Sequence, residues 1–407
     1  MRVFVTMVLL IAGTIGFAQS GFTIYNQDNS DLPTNLVNAI TIDDHNNTWV
    51  GTEGGLVKID PVGTWTTFTT ANSGIPDNQI RSIFIDENDV VWVGTYLDGL
   101  ASYDGTDWVA YDPTNSGLPD YHIKSIAKDA NDTMWIGTSW GLAKWDGADY
   151  WYTYTELNSE ILVPNINALY IDSNDVVYIG TLNGGLNVYD HGVFTIYRTA
   201  NSTISDNTIL SIDEDIYHNK WLATSFGGLS VFTEAGDFLK FTPLTSDISD
   251  WSVDAVRLDN NNLGVIGMSA TGLEIFNNIS WTHYTTANSD LPDDFINALA
   301  IDSANIIWIG TEEGGLVKFD RSAVAVNTIG QVEVLTYPNP ATDNALIIGL
   351  PENLSVQIYN NQGMLCGIAE YRNGMHIVNA AKLSAGTYWI YAVDQHTTYT
   401  ASLQVVH

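Results

Sequence analysis

Side chains with binding chemistry recur along this sequence at one interval. Glu53, Tyr96, Trp140, Asn183 and Phe226 follow one another every 43 or 44 residues, and Glu312 and Glu313 extend the series. A second set, Tyr121, His122, Trp251 and Asp294, falls in the segments just ahead of the apolar runs, where Arg81, Lys124 and Asp254 also lie. Aromatic rings beside carboxylates, amides and an occasional base suit sugar binding: the ring stacks on the apolar face of the sugar, and the polar groups hydrogen-bond its hydroxyls. Glu53, Arg81, Tyr96, Tyr121, His122, Lys124, Trp140, Phe226 and Trp251 are therefore the expected ligand-binding residues, for a glycan or a protein surface.

Catalytic signatures are missing. The sequence has no Gly-x-Ser-x-Gly elbow, no His-Glu-x-x-His and no phosphate-binding glycine loop. Its eight histidines are scattered, and His122 is the one among the candidate binding residues, with a basic neighbour, Lys124. No catalytic residue is assigned, and a non-catalytic binding protein is the leading expectation. Carboxylate pairs for polysaccharide hydrolysis need a separation of ~5–10 Å, a three-dimensional property, so an extracellular hydrolase or lyase stays open as the alternative, with an interaction scaffold as the third. Glu53, Glu312, Glu313 and Asp294 are oxygen donors of the kind Ca²⁺ takes, but no calcium-loop spacing is present, so no cofactor or metal is expected. One cysteine, Cys366, excludes an intramolecular disulfide and a cysteine-built zinc site.

Charge narrows the partners. The 407 residues hold 47 Asp and Glu against 14 Lys and Arg, a net −33, which repels nucleic acid and anionic membranes. Residues 1–18 begin with Arg2, run apolar from Val3 to Ile15 and finish Gly16-Phe17-Ala18, the pattern of a secretory signal peptide. Its removal leaves 13 basic against 47 acidic residues, a net −34. No later stretch has the ~20 apolar residues of a transmembrane helix.

The elements that position these side chains come from an internal repeat. Trp49-Val50-Gly51-Thr52 returns as Trp92-Val93-Gly94-Thr95, Trp135-Ile136-Gly137-Thr138, Tyr178-Ile179-Gly180-Thr181, Trp221-Leu222-Ala223-Thr224, Val265-Ile266-Gly267-Met268 and Trp308-Ile309-Gly310-Thr311. An Asp stands six residues before each copy, from Asp43 to Asp302, and a Gly-Leu pair follows each. Within the second copy the pattern predicts strands at 80–86, 90–95, 100–103 and 108–111, joined by Asp, Asn and Gly turns. The Asp residues are read as caps for turn amides rather than metal ligands. Four strands in ~43 residues make one propeller blade. The fourth-strand aromatic has its seventh copy at Phe22, one period before Trp65, and none after Asp320. The fold expected is all-β: a seven-bladed propeller over 19–320, closed by the N-terminal strand, then a linker at 321–332 and a small antiparallel sandwich at 333–407.

The repeat resembles the two-component-regulator propeller repeat, through Leu32-Pro33, Ile75-Pro76, Leu118-Pro119 and Leu291-Pro292, the Asp before the hairpin, Trp-Val/Ile-Gly-Thr and Gly-Leu. The tail resembles the C-terminal type-A sorting domain of the type IX secretion system of Bacteroidetes-type bacteria, on Tyr337-Pro338-Asn339-Pro340-Ala341-Thr342-Asp343 and Leu383-Ser384-Ala385-Gly386-Thr387-Tyr388. These resemblances imply export to the cell surface or medium and contact of the tail with the secretion machinery.

Overall fold

The computed structural model describes residues 21–277 and 280–322, and residues 332–406 apart from breaks at 334, 338, 349, 351–353, 361–364, 373–374 and 394–397. The expected signal peptide at 1–18 and most of the expected linker at 321–332 lie outside the described residues. The chain divides into two compact units between Arg321 and Ser322.

Among the described residues of the first unit, the regular elements are strands gathered into seven four-stranded antiparallel sheets. Sheet two shows the pattern, with Ile80–Ile85, Val91–Thr95, Leu100–Tyr103 and Trp108–Tyr111 paired in sequence order. The first strands, beginning at Val37, Ile80, Ile123, Ile166, Ile209, Val253 and Ile296, lie side by side in that order, and the last lies beside the first. The ring is closed.

A glycine sets the spacing between sheets. A β-carbon on Gly94, in the second strand of sheet two, would stand 2.6 Å from Ile123 Cγ2 at the start of sheet three. Gly51 meets Ile80 in the same way, and Gly310 meets Val37 across the closure. In sheet five the glycine becomes Ala223 and the facing residue is the smaller Val253, held in one apolar cluster. Larger side chains then fill the gap further out: Trp49 is buried with Leu56, Ile75, Ile80, Val91 and Val93, with Phe68 and Trp108 against it. The repeated tryptophans are core.

The Asp before each hairpin ties the turn to that core. Asp129 Oδ1 accepts hydrogen bonds from the Asn131 and Thr133 amides, each at 3.0 Å, and Oδ2 accepts the Trp135 indole N–H at 3.1 Å. Asp43, Asp86 and Asp215 repeat the arrangement with Trp49, Trp92 and Trp221. Asp302 departs from it: its carboxylate takes the Ala304 and Ile306 amides, while the Trp308 indole nitrogen is buried with no partner.

Sheet seven takes its outer strand from the other end of the chain. Phe22–Tyr25 pairs antiparallel with Leu316–Phe319, Phe22 opposite Phe319, and the two rings stack with centroids 4.0 Å apart. The Asp320 amide donates to the Gly21 carbonyl at 2.8 Å.

The second unit is a two-sheet β structure. One sheet orders Val332–Glu333, Thr398–Val405, Gly386–Val393, Gln357–Asn360 and Leu365–Ile368; the other orders Leu335–Tyr337, Asn344–Ile348, Met375–Asn379 and Glu370–Arg372. Ala345, Ile347, Val378, Ile358, Ile390 and Leu403 form its core. It is not wholly antiparallel, since Val332–Glu333 runs parallel to Thr398–Val405.

Two outcomes follow for stability. Deleting residues 22–26 bares the edge of Leu316–Phe319 and exposes Phe319, and the melting temperature should fall by ~10 °C or more; an unchanged melting curve refutes the closure. Asp129→Ala strands the Trp135 indole and two amides, at a cost of about 2–3 kcal/mol. Asp302→Ala strands no indole and should cost measurably less in the same denaturant titration.

Candidate functional site

Each first strand carries a β-bulge at one place. Its pairing with the second strand slips between the first and third residues, as at Ile80/Ser82 and Ile123/Ser125, so the second residue has no partner opposite. The seven skipped residues are Asn38, Arg81, Lys124, Asn167, Leu210, Asp254 and Asn297. All seven line one depression of about 490 Å³ at the mouth of the central channel, with Leu36, His122 and Glu312 added from the flanking loops. A cavity of about 230 Å³ shares these bulge residues and is lined further along the first strands by Ala39, Ser82 and Ser125 and by Ile40, Ile83 and Ile126. Packing between sheets fixes the aliphatic residue before each bulge; the bulge residue itself is left to chemistry.

One side of the mouth is cationic. Arg81 Nη2 lies 2.7 Å from Glu53 Oε1, and Nη1 donates to Asn38 Oδ1 at 3.1 Å. Its guanidinium covers the Tyr96 ring at 4.8 Å, and Tyr96 meets the His122 ring edge-on with centroids 4.6 Å apart. Lys124 Nζ donates to Asn165 Oδ1 at 2.8 Å and to Asn167 Oδ1. The Asn38 and Asn167 amide nitrogens each donate to a backbone carbonyl of the next sheet, Ile80 and Ile209 at 3.1 Å, which turns both oxygens toward the cations. Burial lowers the Lys124 pKa to about 8. Burial, then the charges of Lys124 and Arg81, bring His122 from the usual 6.5 down to about 4, leaving a neutral imidazole whose Nδ1 lies 3.0 Å from Ser139 Oγ.

The far side is acidic. Asp254 stands three sheets away from Lys124; burial raises its pKa, and nearby Glu312 adds to the rise, while a Ser269 hydrogen bond opposes it. Across one opening, then, stand ammonium, guanidinium and imidazole on one side and two carboxyls on the other, with amides between. That arrangement can hold a small polar ligand from several directions at once.

Of the residues expected from sequence, Arg81, His122 and Lys124 line the mouth, Glu53 anchors Arg81, and Tyr96 supports Arg81 and His122. Tyr121, Trp140, Phe226 and Trp251 are exposed on the surrounding loops and line neither mouth nor channel; Trp140 is 70% and Phe226 77% exposed. Asn38, Asn167, Leu210 and Asn297 escaped sequence reasoning, although one signal was available: a variable residue directly after each first-strand aliphatic. The four acids considered for Ca²⁺ are dispersed. Glu53 holds Arg81, and Asp294 accepts the Thr286 amide and hydroxyl. Among the described residues no group of three or more His, Cys, Asp or Glu converges as a metal site.

Comparison with known families agrees with this architecture. Residues 74–97, 117–140 and 290–313 match the two component regulator propeller, and residues 335–406 match the secretion system C-terminal sorting domain. The chain is a secreted propeller protein with a type IX sorting tail. The sorting domain implies interaction with the secretion machinery and indicates delivery to the cell surface or extracellular space. No helix among the described residues is long and apolar enough to cross a membrane. No curated protein matches the chain. Among solved structures it is similar to the extracellular domain of a hybrid two component system of B. thetaiotaomicron, BT3049, at 20% identity and TM-score 0.62, covering 95% of this chain and 54% of that one. It is also similar to PorZ, a surface component of the type-IX secretion system of Porphyromonas gingivalis, at 17% identity and TM-score 0.59, covering 92% and 60%. Virginiamycin B lyase of Staphylococcus aureus matches at 14% identity and TM-score 0.58, covering 73% and 98%. The propeller protein thus spans little more than half the length of the first two, and at these identities the likeness concerns the fold.

The His122 environment yields a direct expectation. In an NMR titration its imidazole should protonate near pH 4. Lys124→Met removes one of the two charges that oppose protonation and should move the midpoint upward; an unmoved midpoint would leave burial and Arg81 as the whole cause.

Proposed function

We propose that this secreted propeller is a non-catalytic binding protein that takes a glycan at the channel mouth. The observation that carries the reading is the set of seven bulges, which place seven side chains of five types, three of them asparagine, around one depression of about 490 Å³. Six of the seven are polar, and Asn38 and Asn167 also bond the backbone of the next sheet. Amides, carboxyls and cations spaced around an opening of that size match a ligand that presents hydroxyls in every direction. Tyr96 adds an aromatic surface beside them. Trp140 and Phe226, further out on the loops of the same face, extend the surface available to a longer chain.

A polysaccharide lyase or hydrolase is the second reading, since His122 stands at the mouth as a neutral imidazole, but burial and the two cations beside it make it a weak base. Purified protein on a glycan array, followed by incubation of the hits with a reducing-end assay, separates the two. Binding without new reducing ends is expected. Leu210→Trp, which fills the mouth at a position packing does not require, should weaken binding at least ~10-fold with an unchanged melting temperature. New reducing ends would make it an enzyme, and silence across the array would leave an interaction scaffold.

A further inference from the structure

We infer that the mouth selects a sugar bearing a carboxylate, a uronic-acid residue, seated on Lys124 and Arg81; this rests on the glycan-binding reading above. Two other buried lysines are paired with carboxylates. Lys128 Nζ is held among Glu87, Asp132 and Asp86 at 2.6, 2.7 and 3.9 Å, and Lys220 Nζ lies 2.9 Å from Glu214 and 3.5 Å from Asp172. Lys124 forms no ion pair among the described residues; its neighbours are two neutral amide oxygens. In a chain with 47 acidic residues, a half-buried ammonium facing an open depression has been given no counter-charge. Burying such a cation unpaired is costly, and a ligand anion arriving there recovers the cost.

Donor accounting points the same way. An ammonium has three N–H donors, and the two asparagines take two, leaving one for the mouth. Arg81 has five donors; Glu53 and Asn38 take one each, and its buried Nε has no partner. The carboxylate of Glu53 neutralises Arg81 in part but leaves Lys124 alone. Both cations line the same depression, and the Lys124 ammonium keeps one donor there for a carboxylate oxygen.

The opposite side decides which anion. Asp254 and Glu312 would repel a second negative group there, while accepting or sharing protons with hydroxyls. A ligand with one carboxylate at one edge and hydroxyls at the other satisfies both sides; a densely sulfated or phosphorylated chain does not, and the net charge of −33 repels it at distance. Among glycans, a uronate has that distribution.

The experiment is isothermal titration of the full chain with an oligosaccharide carrying a single galacturonic acid residue and with the same oligosaccharide after carboxyl reduction, which keeps every ring hydroxyl and removes the charge. The uronate-bearing sugar should bind roughly tenfold tighter or more, and Lys124→Met should remove that preference. Equal affinity for the two sugars in the unmodified protein overturns the inference and leaves glycan binding standing. Preference for neutral glycans on the array, with uronides silent, does the same. Failure of every glycan overturns both. The comparison of the two sugars needs no variant, so it decides the question even if Lys124→Met does not fold.

Discussion

The close approach between an aliphatic residue opening one sheet and a glycine in the sheet before it governs the rest of this propeller. A β-carbon on Gly94 would come within 2.6 Å of Ile123, so the larger aliphatic side chain is accommodated by a residue without one. Holding that aliphatic side chain between sheets fixes the start of the strand. The bulge that follows takes up one extra residue and turns it toward the channel. Ring geometry and site geometry are thus one constraint. The glycine sets how near the sheets stand, and the bulge sets what they present.

Charge is distributed around this frame with some economy. The chain has 14 lysines and arginines, and two of them, Arg81 and Lys124, occupy neighbouring bulges. Elsewhere, buried lysines are surrounded by carboxylates and serve as struts between sheets, as Lys220 does between Asp172 and Glu214. At the mouth Arg81 is paired with Glu53, whereas Lys124 has amide neighbours, so the lysine is positioned without being neutralised. Burial then holds His122 uncharged and Lys124 near the edge of its charged range.

Sequence made the frame legible because packing repeats the same demand in every sheet. Trp49, Gly51, the Gly-Leu pair and the capping Asp recur since each meets an equivalent neighbour, and the strands read from them in the second repeat differ from the observed ones by a residue at two ends. The closing strand was legible from the phase of the aromatics. The indole hydrogen bond to Asp129 was not, because six residues of sequence hide a hairpin that returns the ring to the carboxylate. The mouth was half legible. Arg81, Lys124 and Asp254 stand out by charge, whereas Asn38, Asn167 and Asn297 differ little from the many turn asparagines. Trp140 and Phe226 drew notice by type, and type says nothing about direction. The parallel pairing of Val332–Glu333 with Thr398–Val405 escaped for a related reason: partners that far apart in the chain leave no local pattern.

Closure by Phe22–Tyr25 has a temporal consequence. These residues are synthesised well before Leu316–Phe319, which they must join and which lies some three hundred residues further along the chain. For that interval a strand-forming segment has no mate, and the loop it must close is the longest in the first unit, so its entropy is lost last. Six sheets can assemble from neighbours in order of synthesis; the seventh waits. A holding factor that keeps the early segment from pairing elsewhere would act on this protein before, and not after, the ring shuts.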